Sequence, residues 1–224
     1  MKKRVLILVV LSIFGMINLF AAPEFKMSLG LGGLIRNDFG GGVESSFNET
    51  VVGHYTTPNF GGGGLIYLDM TFIEFSMGLF GLGGEWEDYG AGIGTNNIDF
   101  SGFGWNMGIY GKYPFFINKK FSVAPLLGMT FDFMTSVKID EKKINSQEGA
   151  SDLSTIWFRG GSDLDFYLTE KIYLRTKLLY GVRIGNKFES DMIKYLDELS
   201  GGVVDTKQLL GHGYEIMLAI GIVQ

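Results

Sequence analysis

GYEIMLAIGIVQ, residues 213–224, closes the chain and reads with a period of two. From Tyr214, one face carries Tyr214, Ile216, Leu218, Ile220 and Ile222. The other carries Glu215, Met217, Ala219, Gly221 and Val223. A helix would mix the two sets in one stripe, whereas a strand sends alternate side chains to opposite faces. The preceding segment repeats the pattern. Ile172, Leu174, Thr176, Leu178, Tyr180, Val182 and Ile184 share one face, and Tyr173, Arg175, Lys177, Leu179, Gly181, Arg183 and Gly185 share the other. Six further segments follow the same logic, near 25–36, 59–69, 71–83, 99–113, 120–135 and 154–168. The second of these is the weakest, because Gly61 to Gly64 hide its alternation.

The connections between the eight segments alternate in length. Asp69-Met70-Thr71, Pro114 to Lys119 and Thr169-Glu170 are short, whereas 37–58, 84–98, 136–153 and 186–208 are long. Outer-membrane barrels show this asymmetry, with short periplasmic turns and longer extracellular loops. An even strand count then puts both ends of the barrel in the periplasm.

The N-terminus supplies an export signal. Lys2, Lys3 and Arg4 precede an apolar run from Val5 to Phe20, and Ala21 and Ala22 offer small residues for cleavage. Pro23 disfavours a cut after Ala22, so the signal peptide is expected to be 1–21 and the mature barrel 22–224. A retained anchor is the alternative, but the run is short against the roughly 20 apolar residues a spanning helix needs.

Composition narrows the class. The 224 residues contain no cysteine, which excludes disulfides and thiolate metal sites. The 34 glycines follow no G-X-Y period, which excludes collagen. Aromatic enrichment with only 4 prolines suits many strands, and a net charge of −5 argues against nucleic acid.

The two strand faces differ in charge. One holds Phe103, Trp105, Met107, Ile109, Tyr113, Phe121, Val123, Leu127, Met129, Phe131, Phe133, Ile156, Phe158, Leu164, Phe166 and Leu168. The other holds Lys26, Asp69, Glu74, Lys112, Asp132, Arg159, Asp163, Asp165, Arg175, Lys177, Arg183 and Glu215. A soluble lipocalin-like barrel would turn the apolar face inward. An eight-stranded barrel is only just wide enough for side chains, and the bulky face would overpack it. The charged, glycine-rich face is therefore expected to line the lumen as a balanced ion-pair network. Unpaired buried charge is costly, so near-neutrality suits a closed interior. An open porin needs about 16 strands.

Other candidate sites are weaker. Gly61 to Gly64 and Gly81-Leu82-Gly83-Gly84 open no helix and lack the Lys and Ser/Thr of a phosphate loop, so they read as inward glycines. His54 and His212 are the only histidines, both at expected extracellular ends. His54 has Ser45, Ser46 and Glu49 in its loop, but no enzyme signature surrounds it. Neither a metal site nor a cofactor is expected. Ser190 to Leu199, followed by Gly201, reads as a short amphipathic helix in the last long loop. Loop 84–98 carries Glu85, Trp86, Glu87, Asp88 and Tyr89, read as exposed aromatics among acids.

On the signal peptide, strand count, loop alternation and final strand Gly213 to Gln224, the chain resembles the small eight-stranded outer-membrane barrels of the OmpA, OmpX and OmpW type. The resemblance covers the mature chain and is architectural. Many such proteins end in an aromatic, whereas this sequence ends Ile222-Val223-Gln224. OmpW-like members are associated with small hydrophobic compounds and an apolar lumen, so the charged face here looks more like OmpA or OmpX. The implied fold is an all-β, eight-stranded antiparallel up-and-down transmembrane barrel. The expected function is a non-enzymatic outer-membrane protein with a plugged lumen, acting in envelope integrity or surface interaction through its loops. The alternatives are a narrow channel for small solutes or hydrophobic compounds, and a lipid-modifying barrel enzyme. Expected partners are outer-membrane lipid, the barrel-assembly machinery and an unspecified extracellular ligand, with no nucleic acid.

Overall fold

The computed structural model describes residues 25–47, 50–56, 58–90, 94–139, 142–145, 150–184, 190–191, 193–194 and 205–224. The expected signal peptide lies outside them. Eleven strands are present among these residues: β1 (Ser28–Phe47), β2 (Thr50–Thr56), β3 (Asn59–Asp69), β4 (Ile73–Gly90), β5 (Gly94–Lys112), β6 (Phe115–Asn118), β7 (Phe121–Ile139), β8 (Lys142–Asn145), β9 (Thr155–Tyr167), β10 (Ile172–Ile184) and β11 (Asp205–Val223). Eight of them form the wall, each antiparallel to the next in the order β1-β3-β4-β5-β7-β9-β10-β11. β11 then pairs with β1, from Ser28↔Val223 to Ser46↔Asp205. The sheet therefore closes and has no free edge through its body, which is how a barrel satisfies every ladder amide.

The wall strands run further than the sequence pattern suggested. β4 and β5 stay in register from Ile73↔Gly111 to Gly90↔Gly94, so most of 84–98 is ladder and not loop. β2 continues the line of β3 between β1 and β4, across the break at Pro58, whose nitrogen cannot donate to a ladder. β8 likewise pairs with the end of β7, through 136–139. These extensions are rich in glycine and polar residues, so they carry no apolar alternation to reveal them. Opposite the break, Gly41 and Gly42 take positive φ of 83° and 125°. A side chain at Gly41 would also run into the Arg183 guanidinium.

The glycines of β3 do not all face inward as expected but alternate between the faces. Gly61 and Gly63 share the inward parity of Asn59 and Leu65, but Gly62 and Gly64 fall on the outward parity of Phe60 and Ile66. A period of two cannot send four consecutive residues inward. The barrel has a turn end, with the tight connections at 70–72, 113–120 and 168–171, and a hairpin end where the extended strands project.

Candidate functional site

Inward-facing side chains fill the lumen in layers. At the turn end, Tyr67 donates to the Tyr173 hydroxyl at 3.1 Å, and Tyr173 shares a 2.7 Å hydrogen bond with Ser28. Both rings lie over glycine, Tyr67 at Gly30 and Tyr173 at Gly221, where any side chain would displace them. Turn residue Thr71 has φ 63°, rare for a β-branched residue, and is pinned on both sides. Its amide donates to Asp69 Oδ1 at 3.0 Å and its hydroxyl to the Lys26 carbonyl at 2.8 Å.

Above the tyrosines, three cations meet four carboxylates. Arg175 Nε and Nη2 clasp Asp165 at 2.6 and 2.7 Å, while Nη1 reaches Glu74 at 2.7 Å and Nη2 also reaches Asp69 at 2.6 Å. Lys112 donates to Asp69 at 2.5 Å and to Asp163 at 3.1 Å. Lys177 donates to Glu74. Rings enclose the layer, with the Arg175 guanidinium 4.8 Å from the Tyr67 centroid and Lys177 Nζ 4.7 Å from that of Tyr110.

A second charged layer lies nearer the hairpin end. Arg159 Nη1 donates to Glu215 at 2.9 Å. Arg36 clasps Asp38 through Nε and Nη2 and reaches Asp132 at 2.6 Å through Nη1. The Trp157 ring has both guanidiniums against it, Arg36 at 4.6 Å and Arg159 at 4.7 Å. This layer is less fully bonded. Arg159 Nε and Nη2, Trp157 Nε1 and Asp132 Oδ1 are buried with no hydrogen-bond partner among the described residues.

Beyond it the interior turns apolar. Phe80, Trp86, Phe100, Met134 and Val137 pack with Ala150, which opens a 3-10 turn (Ala150–Leu153). Trp86, expected as an exposed loop aromatic, is buried here. It stacks on Phe100 at 4.1 Å and donates to Asn59 at 3.2 Å, because the continuing strand points its even positions inward. At the rim, Lys207 donates to Glu44 at 2.7 Å, and that bond raises the lysine above its ordinary range.

Of the charged residues expected in the lumen, Asp69, Glu74, Lys112, Asp132, Arg159, Asp163, Asp165, Arg175, Lys177, Arg183 and Glu215 are buried inside. Lys26 is not. It precedes the first ladder residue and stands exposed at the turn-end mouth, its Nζ 5.8 Å from the Phe116 ring. Arg36 and Asp38, which the sequence reading omitted, are buried members. Their even parity matches Lys26; Arg36 is the last residue of the expected strand, and Asp38 falls beyond its expected end. The described interior thus holds six cations and seven carboxylates. A cavity of about 40 Å³ opens at the turn end and ends on Asp69, Lys112, Asp165 and Arg175.

The outward face carries the bulk. Leu31, Ile66, Leu79, Leu127, Phe158, Phe166, Leu174 and Leu218 are all exposed. His212 also faces outward, its Nδ1 3.1 Å from the Tyr180 hydroxyl and its ring 5.6 Å from Phe39. The His54 side chain and most of the expected helix over 190–199 lie outside the described residues, and residues 190–191 and 193–194 are helical. No group of three or more His, Cys, Asp or Glu arranged for a metal occurs among the described residues.

No protein-family model and no curated protein matches the chain. Solved structures similar to it include Neisserial surface protein A, with a TM-score of 0.47 at 9% identity over 87% of this chain and 96% of that one. The outer membrane protein OprG of Pseudomonas aeruginosa gives 0.47 at 9% identity, over 92% and 99%. Ail, the attachment invasion locus protein of Yersinia pestis, gives 0.37 at 11% identity, over 90% and 100%.

Proposed function

We propose that this chain is a closed outer-membrane barrel that supports the envelope and meets the cell's surroundings through its hairpin end, without conducting or catalysing. The observation that carries the reading is the inversion of the wall: charge inside, apolar bulk outside. On β1 the outward positions from Leu29 to Phe39 are uncharged, as are those of every wall strand at that height. At about 3.3 Å per residue and a tilt of about 40°, that stretch covers roughly 25 Å, the height of a barrel's lipid band. Aromatic groups border it at both ends, Phe72, Tyr113 and Phe115 at the turn end and Phe39, Tyr180 and Tyr214 at the other. Such belts sit at membrane–water interfaces. The turn end then faces the periplasm and the extended hairpins face outward.

Closure of the lumen rests on two unlike barriers in series. Ions meet a paired charge network and then the apolar group around Trp86 and Phe100. Planar-bilayer recording of the full-length protein is expected to show no stable open state. A reproducible conductance would overturn the closed reading. Recovery in the aqueous phase on detergent partition would overturn the membrane reading itself.

A further inference from the structure

The upper charged layer falls into two bonded groups, Arg159 with Glu215 and Arg36 with Asp38 and Asp132. Both guanidiniums lie against the Trp157 ring, yet no direct ion pair joins the groups among the described residues. Arg159, Trp157 and Asp132 are 1%, 1% and 3% exposed. These same three residues carry the unpartnered atoms of the layer. A guanidinium has one N–H on Nε and two on Nη2, and an indole has one on Nε1. Those hydrogens and the acceptor Asp132 Oδ1 are therefore left over together. In the Arg175 layer only Asp163 Oδ1 is in that position, with Lys177 Nζ 3.8 Å away.

The wall does not supply the partners. The ladder neighbours of Arg159 are Gly128 on β7 and Gly181 on β10, and Gly213 on β11 lies beyond Gly181. The row ends on Tyr110 and Asp38, which are already engaged with Thr130 and Arg36. A buried donor or acceptor without a partner is costly, so the layer calls for an occupant that accepts from several N–H groups and donates to a carboxylate. A halide has no proton for Asp132, and the described interior already holds seven carboxylates against six cations. A metal or ammonium ion would meet two guanidiniums. Water accepts and donates, adds no charge, and typically makes about three hydrogen bonds to buried polar groups of this kind.

We propose that Arg159, Trp157 and Asp132 form an internal hydration site. About two waters, each accepting twice, take up the spare N–H groups and donate to Asp132 Oδ1. They join the Arg159–Glu215 pair to the Arg36 group as one network. The lumen then holds a hydrated layer between the tightly paired Arg175 layer and the apolar group around Trp86. This goes beyond the closed reading, which requires no water inside.

The test begins with crystals of the full-length protein grown from detergent with bromide in place of chloride. Water within about 3.2 Å of Trp157 Nε1 and of Asp132 Oδ1 is expected, with no anomalous bromide peak. A bromide peak would make the site one for anions and overturn the proposal. Direct bonds from the protein to Arg159 Nη2 and Trp157 Nε1, or a layer without water, would overturn it too. In micelles, the Trp157 indole proton is expected to show magnetic cross-relaxation with water, and that of Trp86, which donates to Asn59, none. Trp157→Phe identifies the signal. Arg159→Met keeps the stem and removes the donors, and is expected to abolish the water signal at Trp157. A folded Arg159→Met barrel with that signal intact would overturn the site as built on Arg159. Failure of the hydration site leaves the closed barrel standing, because bilayer recording tests that separately.

Discussion

Arg175 spends its whole guanidinium on Asp165, Glu74 and Asp69, and it is 2% exposed. Replacing it with leucine takes the cation from Asp165 and leaves Asp69 to Lys112 and Glu74 to Lys177 in a closed lumen. Removing one partner of a buried ionic group costs about 3–5 kcal/mol, so Arg175→Leu is expected to lower unfolding free energy by that much in urea titration of the folded barrel. Arg159 donates a single bond, to Glu215, and already leaves two nitrogens unpartnered. Arg159→Leu is therefore expected to cost clearly less, and equal losses for the two would refute the layered account. At this scale the sequence was informative through parity. Arg175 and Lys177 on β10, like Asp163 and Asp165 on β9, sit at alternating positions that a strand must send the same way. Arg36 and Asp38 obey the same parity, but Arg36 stands at the very end of the expected strand, and no apolar alternation beyond it marked Asp38 as part of the ladder. Contacts such as the clasp between Arg36 and Asp132, 96 residues apart, depend on which strands become neighbours around the ring, which alternation does not encode.

Strands, taken as elements, were legible where they meet an apolar surroundings and illegible where they do not. β9, β10 and the lower half of β11 alternate cleanly, because one face is uncharged and mostly apolar. The upper parts of β4 and β5 read as loop, because glycines and acids replace the outward hydrophobes there. Only Trp86, Ile98 and Phe100 hinted at a buried face, and their spacing crosses a hairpin. The ladder itself is continuous, so its amides are expected to exchange slowly. Native-state hydrogen exchange should show residues 84–87 and 97–100 protected well beyond unstructured peptide rates. Rapid exchange across both segments would return this region to a loop.

The barrel as a whole is polar inside at the height of the apolar band and apolar inside above it, so each half is ordered for the medium outside it. Leu218 lies near the middle of the band, opposite Gly33, and is 64% exposed. In water, Leu218→Arg would be close to neutral. On a lipid face at mid-depth it is expected to cost about 2–4 kcal/mol in unfolding from lipid vesicles. A neutral result would move the band out of the bilayer. The seam between β1 and β11 has a further consequence, for the order of events in folding. It joins Ser28 to Val223, so the ring cannot shut until β11 is in place. Every earlier intermediate presents two unpaired strand edges and a greasy outer surface, the combination most prone to aggregate. Closure carries the largest loop entropy of any pairing in the molecule, which makes it a slow, late step. Shortening the chain by its final strand should therefore yield insoluble protein, and not a smaller barrel.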